Sequence, residues 1–160
     1  MRLLLVAVGR MKSGPERELV SRYMERAIAL GRSLGIPDIA LRELEESRAR
    51  RPEDRKSEEA KAILALVPPG ARLLLCDERG KSMSSEVFAQ DIARARDGGA
   101  PAVVLVIGGA DGLDPALHGR ADVSLAFGAM TWPHQLVRIM AAEQVYRALT
   151  ILSGHPYHRV

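Results

Sequence analysis

AVVLVIGGADGL, residues 102–113, decides the fold. Its first half, Ala102–Ile107, is apolar without a break and rich in β-branched residues, as expected of a strand covered on both faces. The run ends abruptly in Gly108, Gly109, Ala110, Asp111 and Gly112, and a short helix is expected from Pro115. A buried strand that empties into a glycine loop and then a helix is one β–α unit.

Working outward, the same unit recurs. Upstream, Leu73–Cys76 is a third strand, followed by Asp77, Glu78, Arg79, Gly80 and Lys81. Ser84 and Ser85 open a helix over Glu86–Arg96, which Gly98 and Gly99 end. Before that strand, Ser57–Leu66 reads as a helix stopped by Pro68, Pro69 and Gly70, and Glu45–Arg55 as an exposed loop or solvated helix start. Leu3–Val8 and Ile39–Leu44 are two further strands around a helix over Glu16–Leu30. The turn Gly9–Pro15 carries Arg10, Lys12 and Ser13. Downstream come a weak strand at Asp122–Phe127, a loop at Gly128–Thr131 and a long final helix. Such alternation predicts an α/β fold with a mostly parallel sheet and helices on both faces, in a single domain over residues 1–160. Strand order is not readable from the pattern.

The final helix follows Thr131, a capping residue type, and Pro133, which suits a first turn. Val137, Met140, Ala141, Val145, Ala148, Leu149 and Leu152 form its apolar stripe. Leu136, Ile139 and Tyr146 lie beyond that stripe and suggest a second buried face, as in a homodimer. Glu143 and Arg147 are spaced for an i,i+4 pair. Gly154 stops the helix, and His155, Tyr157, His158 and Arg159 then concentrate proton-transfer and phosphate-binding groups in a short tail.

Composition narrows the function classes. The chain has 160 residues, 47% of them hydrophobic, and a net charge of +3. Its pI of about 9.3 permits nucleic-acid binding without demanding it. No apolar run approaches the ~20 residues that span a bilayer, and the opening MRLLLVAVGR is too short for a signal peptide. The single Cys76 excludes an intramolecular disulfide and fits a reducing cytoplasm. The four histidines have no metal-ligand spacing, so no metal is expected.

In open α/β sheets, ligands collect beyond the carboxyl ends of the strands. Three such loops stand out: 76–80, 108–112 and 127–132. Each has a plain reading. The diglycine can be a tight turn, Met130 and Trp132 can be core residues, and Cys76 in an apolar run can be an inert core thiol. The G-G-x-x-G spacing does not match a dinucleotide fingerprint, and no lysine makes it a phosphate-binding P-loop.

VIGGADGL (106–113), SLAFGAMTWPHQLVRIMAAEQVYRA (124–148) and HPYHR (155–159) together closely resemble one family. It comprises the small bacterial methyltransferases that modify N3 of a pseudouridine in large-subunit (23S) ribosomal RNA, of the SPOUT class. LVAVGR (5–10) and RGK (79–81) extend the resemblance along the chain, while residues 32–65 are only generically similar. The resemblance implies an α/β knot, in which the C-terminal segment threads a loop to form a deep trefoil, and a homodimer. It implies S-adenosylmethionine as methyl donor, bound by Cys76, Gly108, Phe127, Gly128, Ala129, Met130, Thr131 and Trp132. Cys76 replaces the family's usual leucine, and Val160 extends the chain past the terminal arginine, where it could shift the terminal carboxylate. On the substrate side it implies His155, Tyr157, His158 and Arg159, with Arg138 or Arg147 gripping phosphate. The tail is expected to order only over RNA. The implied partner is ribosomal RNA on the large subunit or the whole ribosome. Two other readings share the fold: a SPOUT enzyme acting on a ribose 2′-hydroxyl, and a non-catalytic ribosome-binding factor.

Overall fold

The computed structural model describes residues 1–159; the reading of Val160 lies outside them. The elements are β1 (Arg2–Val8), α1 (Pro15–Gly31), β2 (Asp38–Leu44), α2 (Pro52–Leu64), β3 (Arg72–Ser82), α3 (Ser85–Asp97), β4 (Ala102–Ile107), α4 (Pro115–Arg120), β5 (Val123–Ala126) and α5 (His134–Ser153). All five strands are parallel, in the order β2-β1-β4-β3-β5. Every strand therefore delivers its carboxyl end to the same edge of the sheet.

The continuous apolar runs are explained by two covered faces. Along β1, Leu3, Leu5 and Ala7 pack with α1, α3 and α5, while Leu4, Val6 and Val8 face α2 and α4. In β4, Val103, Leu105 and Ile107 alternate in the same way with Ala102, Val104 and Val106. With a side-chain period of two, a strand buried on both faces has no polar positions to show.

Two expectations about boundaries are corrected. The second helix starts at Pro52 rather than Ser57, because Pro52 fits the first turn and Glu53 and Asp54 favour the positive end of the helix dipole. The third strand continues past Cys76 to Ser82. Cys76 and Lys81 both stand opposite Leu125, so residues 77–80 leave the ladder as an excursion and then rejoin it. The rejoining strand passes tightly over β5 at Gly80, where a Cβ would lie 2.6 Å from the backbone carbon of Leu125.

Helix α5 lies between α1 and α3 and buries Ala141, Val145, Ala148 and Leu149 as its stripe predicts. Thr131 is not its cap. Pro133 occupies that position, and Thr131 instead donates a hydrogen bond to Glu78 at 3.2 Å. The apolar excess is partly used within the chain, since Tyr146 is buried against Tyr23 with ring centroids 6.3 Å apart. Leu136 remains exposed. Gly154 ends the helix in a left-handed conformation, φ 69°.

Arg138 is not available to grip phosphate. Its guanidinium is buried, donating to the Val8 carbonyl at 2.6 Å and to Glu43 at 3.0 Å. Burial depresses its pKa, and the charges of Glu43 and Glu46 oppose the shift. The same Glu43 oxygen accepts from the Met11 amide at 2.8 Å, so one ion pair ties α5 to the ends of β1 and β2. Arg138→Met leaves Glu43 without its cation, and a loss of about 3 kcal/mol is expected in urea unfolding.

Candidate functional site

A cavity of about 360 Å³ opens at the carboxyl edge of the sheet. Cys76 and residues 77–79 of the excursion form one wall, Ile107–Leu113 a second, and Leu125–Gly128 and Met130–Trp132 with His134 and Val137 the third. It is near the small end of the range for small-molecule sites. Its walls mix apolar side chains with exposed backbone. A Cβ placed on Gly112 or Gly128, both at the cavity, meets nothing within 4 Å.

Of the eight residues expected around the methyl donor, the cavity gathers Cys76, Gly108, Phe127, Gly128, Met130, Thr131 and Trp132. Ala129 is exposed and is not part of the lining. The plain reading of Met130 and Trp132 as core residues is corrected: they are 75% and 41% exposed, on the rim of the cavity. The Trp132 indole donates to the Phe127 carbonyl at 3.0 Å and closes the 127–132 loop on itself. Cys76 is not a nucleophile, since burial pushes its thiol up to about 12 and leaves almost no thiolate at neutral pH.

Sequence reasoning missed His134 and Val137, which reach the cavity from the first turn of α5. Their i,i+3 spacing after the Met130–Trp132 loop is the signal that places both on one face. It also missed the groups that brace the loops. Arg55 clamps Asp111 through two guanidinium nitrogens, Nε at 2.6 Å and Nη2 at 2.9 Å, and so ties loop 108–112 to α2. The hydrogen bond to Asp111 raises the Arg55 pKa, and the reciprocal bond lowers that of Asp111. The Asp77 carboxylate accepts from the Arg79 amide at 2.8 Å and lies 3.2 Å from the His118 ring, which bends the excursion toward α4.

The tail stands apart from this cavity, and it is not loose. Tyr157 packs on Tyr146 with centroids 4.8 Å apart, and its hydroxyl donates to Glu143 at 2.9 Å. Arg147 pairs with Glu143 at 2.7 Å and lies over the Tyr157 ring. His158 sits 3.3 Å from Arg147 and 2.8 Å from Glu86. Burial first, then hydrogen bonds to Tyr23 and Glu143, raise the Tyr157 pKa, so this phenol stays protonated. His155 and Arg159 are exposed. The tail was expected to await RNA; instead an aromatic stack and an ion-pair network hold Tyr157 and His158, while His155 and Arg159 are exposed.

The sequence model of the family described as "Predicted SPOUT methyltransferase" matches residues 1–158. A Methylorubrum populi protein named "Ribosomal RNA large subunit methyltransferase H" is 63% identical over 160 residues, covering 99% of this chain and 97% of the relative. A Beijerinckia indica protein of the same name is 58% identical over 159 residues, 99% of each chain. The crystal structure of a probable methyltransferase from Bordetella pertussis Tohama I superposes with a TM-score of 0.50 at 15% identity, covering 92% of this chain and 95% of that one, and shares the fold. With this similarity along almost its entire length, the chain belongs to the SPOUT methyltransferase family.

Proposed function

We propose that the protein transfers a methyl group from S-adenosylmethionine to N3 of a pseudouridine in large-subunit (23S) ribosomal RNA, acting as a cytoplasmic homodimer on assembled ribosomes. The observation that carries this reading is the cavity itself. Three strand-end loops bearing the family motifs converge on it, in a chain whose relatives are named ribosomal RNA large-subunit methyltransferases. The knot implied by the resemblance belongs to the same reading.

The residues present suit the donor. When bound, S-adenosylmethionine supplies an electrophilic methyl group on a sulfonium. A neutral purine and a sulfonium call for open backbone, apolar walls and little uncompensated charge, and Gly108–Gly112, Phe127–Gly128 and Trp132 provide these. The family contacts are carried by Cys76, Gly108, Phe127, Gly128, Met130, Thr131 and Trp132; Ala129 contributes only loop conformation.

The protein's remaining task is to position the acceptor and to stabilise N3 as its proton leaves. Positioning supplies much of the rate, and a cationic surrounding favours the deprotonated imide. In this reading that surrounding is supplied by His155 and Arg159, which are exposed. Protonated Tyr157 orients the tail and does not act as base. His158, held between Arg147 and Glu86, has a bracing role.

The test is a calorimetric titration with S-adenosylmethionine, followed by methyl transfer to intact ribosomes lacking the modification and mapping of the methylated base. Saturable binding and one methyl on the pseudouridine are expected; methylation of a ribose hydroxyl would overturn the assignment. Gly108→Val is expected to weaken S-adenosylmethionine binding at least about tenfold, which is about 1.4 kcal/mol. A Cβ there would lie 2.8 Å from the Leu113 side chain, so the branched residue displaces the loop. Unchanged affinity in the folded variant removes this loop from the site. Light scattering at micromolar concentration should report a dimer.

A further inference from the structure

We infer that a second cavity, adjoining the first at the carboxyl end of β5, receives the target base as a flipped-out pyrimidine, and that Ser85 and Gln144 hold its hydrogen-bonding edge. This inference rests on the proposed RNA methylation. The cavity measures about 290 Å³ and is framed by Ser85, Phe88, Phe127, Gly128, Met140 and Gln144. It shares Leu125, Ala126, Phe127 and Gly128 with the first cavity, so the two meet at the carboxyl end of β5. Methyl transfer requires donor and acceptor to adjoin, with the acceptor nitrogen in line behind the breaking bond. A base stacked within RNA cannot reach that position, and enzymes that modify bases take them out of the stack.

The lining has the chemistry of a base site. Phe88, Phe127 and Met140 offer flat or polarizable apolar surface to the faces of a neutral ring. Gln144 offers an edge. Its carbonyl accepts from the Ser85 hydroxyl at 2.7 Å, and its amide donates to Glu143 at 2.8 Å. Each group is thereby oriented but only half used: one lone pair and one N–H of the amide remain. A free donor and a free acceptor on one rigid side chain match the alternating carbonyl and N–H groups of a uracil-type ring. Glu143 also receives Tyr157 and Arg147, so this edge is braced by the same network that holds the tail.

The test uses two full-length variants. Ser85→Phe places a ring in the cavity, and Gln144→Ala removes the edge. Each is compared with the unsubstituted protein in S-adenosylmethionine titration, light scattering and methyl transfer to ribosomes lacking the modification. Cofactor affinity and dimerisation should stay within about twofold. Turnover by Ser85→Phe should fall about a hundredfold, the scale of a misplaced acceptor. Gln144→Ala should lose about tenfold in kcat/KM, the scale of one hydrogen-bonded edge. If Ser85→Phe does not fold, Gln144→Ala decides alone. Normal methyl transfer by the folded variants overturns the inference. A parallel loss of cofactor affinity would assign the cavity to the donor, and conversion to monomers would assign it to a second copy of the chain; either result also overturns it. Failure of the unsubstituted protein to methylate ribosomes is a different outcome, one that sinks the functional reading on which this inference stands.

Discussion

Deletion of Tyr157–Val160 is expected to abolish methyl transfer to ribosomes while S-adenosylmethionine affinity stays within about twofold. Neither cavity is lined by a described residue of the tail, so donor binding has no reason to suffer. The deletion also removes the Tyr157–Tyr146 stack and the bond to Glu143, a loss of about 2 kcal/mol. Assays therefore belong well below the melting temperature, and Arg159→Ala, which leaves the stack in place, separates chemistry from stability. Because the tail lies away from its own chain's donor cavity, it is expected to act on the opposite subunit. A mixed dimer of one truncated subunit and one Gly108→Val subunit should then recover activity that neither parent dimer has. Full turnover by the truncated protein would reduce the tail to packing, and lost cofactor binding would make it structural.

The second large effect is expected at Gly80. A Cβ there would sit 2.6–2.7 Å from backbone atoms of Ser124 and Leu125, and backbone cannot swing aside as a flexible side chain can. Gly80→Val must separate the rejoined part of β3 from β5, which disturbs both the 77–80 excursion and the 125–128 wall shared by the cavities. Overpacking of this kind costs about 1–3 kcal/mol or more. The expected result is a lower melting temperature together with at least tenfold weaker S-adenosylmethionine binding, about 1.4 kcal/mol. A variant with native stability and affinity would show that the crossing can loosen without cost to the site.

The centre of the sheet was legible because β1 and β4 bury both faces. Leu3–Val8 and Ala102–Ile107 have no polar positions, and such short runs between turn residues have few other solutions. The cofactor loops were legible as strand ends rich in glycine, and the motifs at 106–113 and 124–148 pointed to the SPOUT family that the whole-length comparisons show. The place of Met130 and Trp132 at the cavity followed from the family motif and was not legible in composition. Their composition is that of a core, and only a tertiary cavity gives large apolar side chains another use.

Local pattern, then, determined the strand and helix alternation, the three loops and the composition of the tail, because periodicity and turn chemistry act over a few residues. Tertiary structure alone decided where distant segments meet. It set the strand order, turned residues 77–80 out of the ladder so that Cys76 and Lys81 share Leu125, and buried Arg138 against Val8 and Glu43 instead of leaving it for phosphate. It also folded the tail onto Glu143, Arg147 and Glu86. Each of these contacts joins residues far apart in the chain or on different elements, so its free energy exists only once the elements have packed, and no window of sequence contains both partners with the space between them.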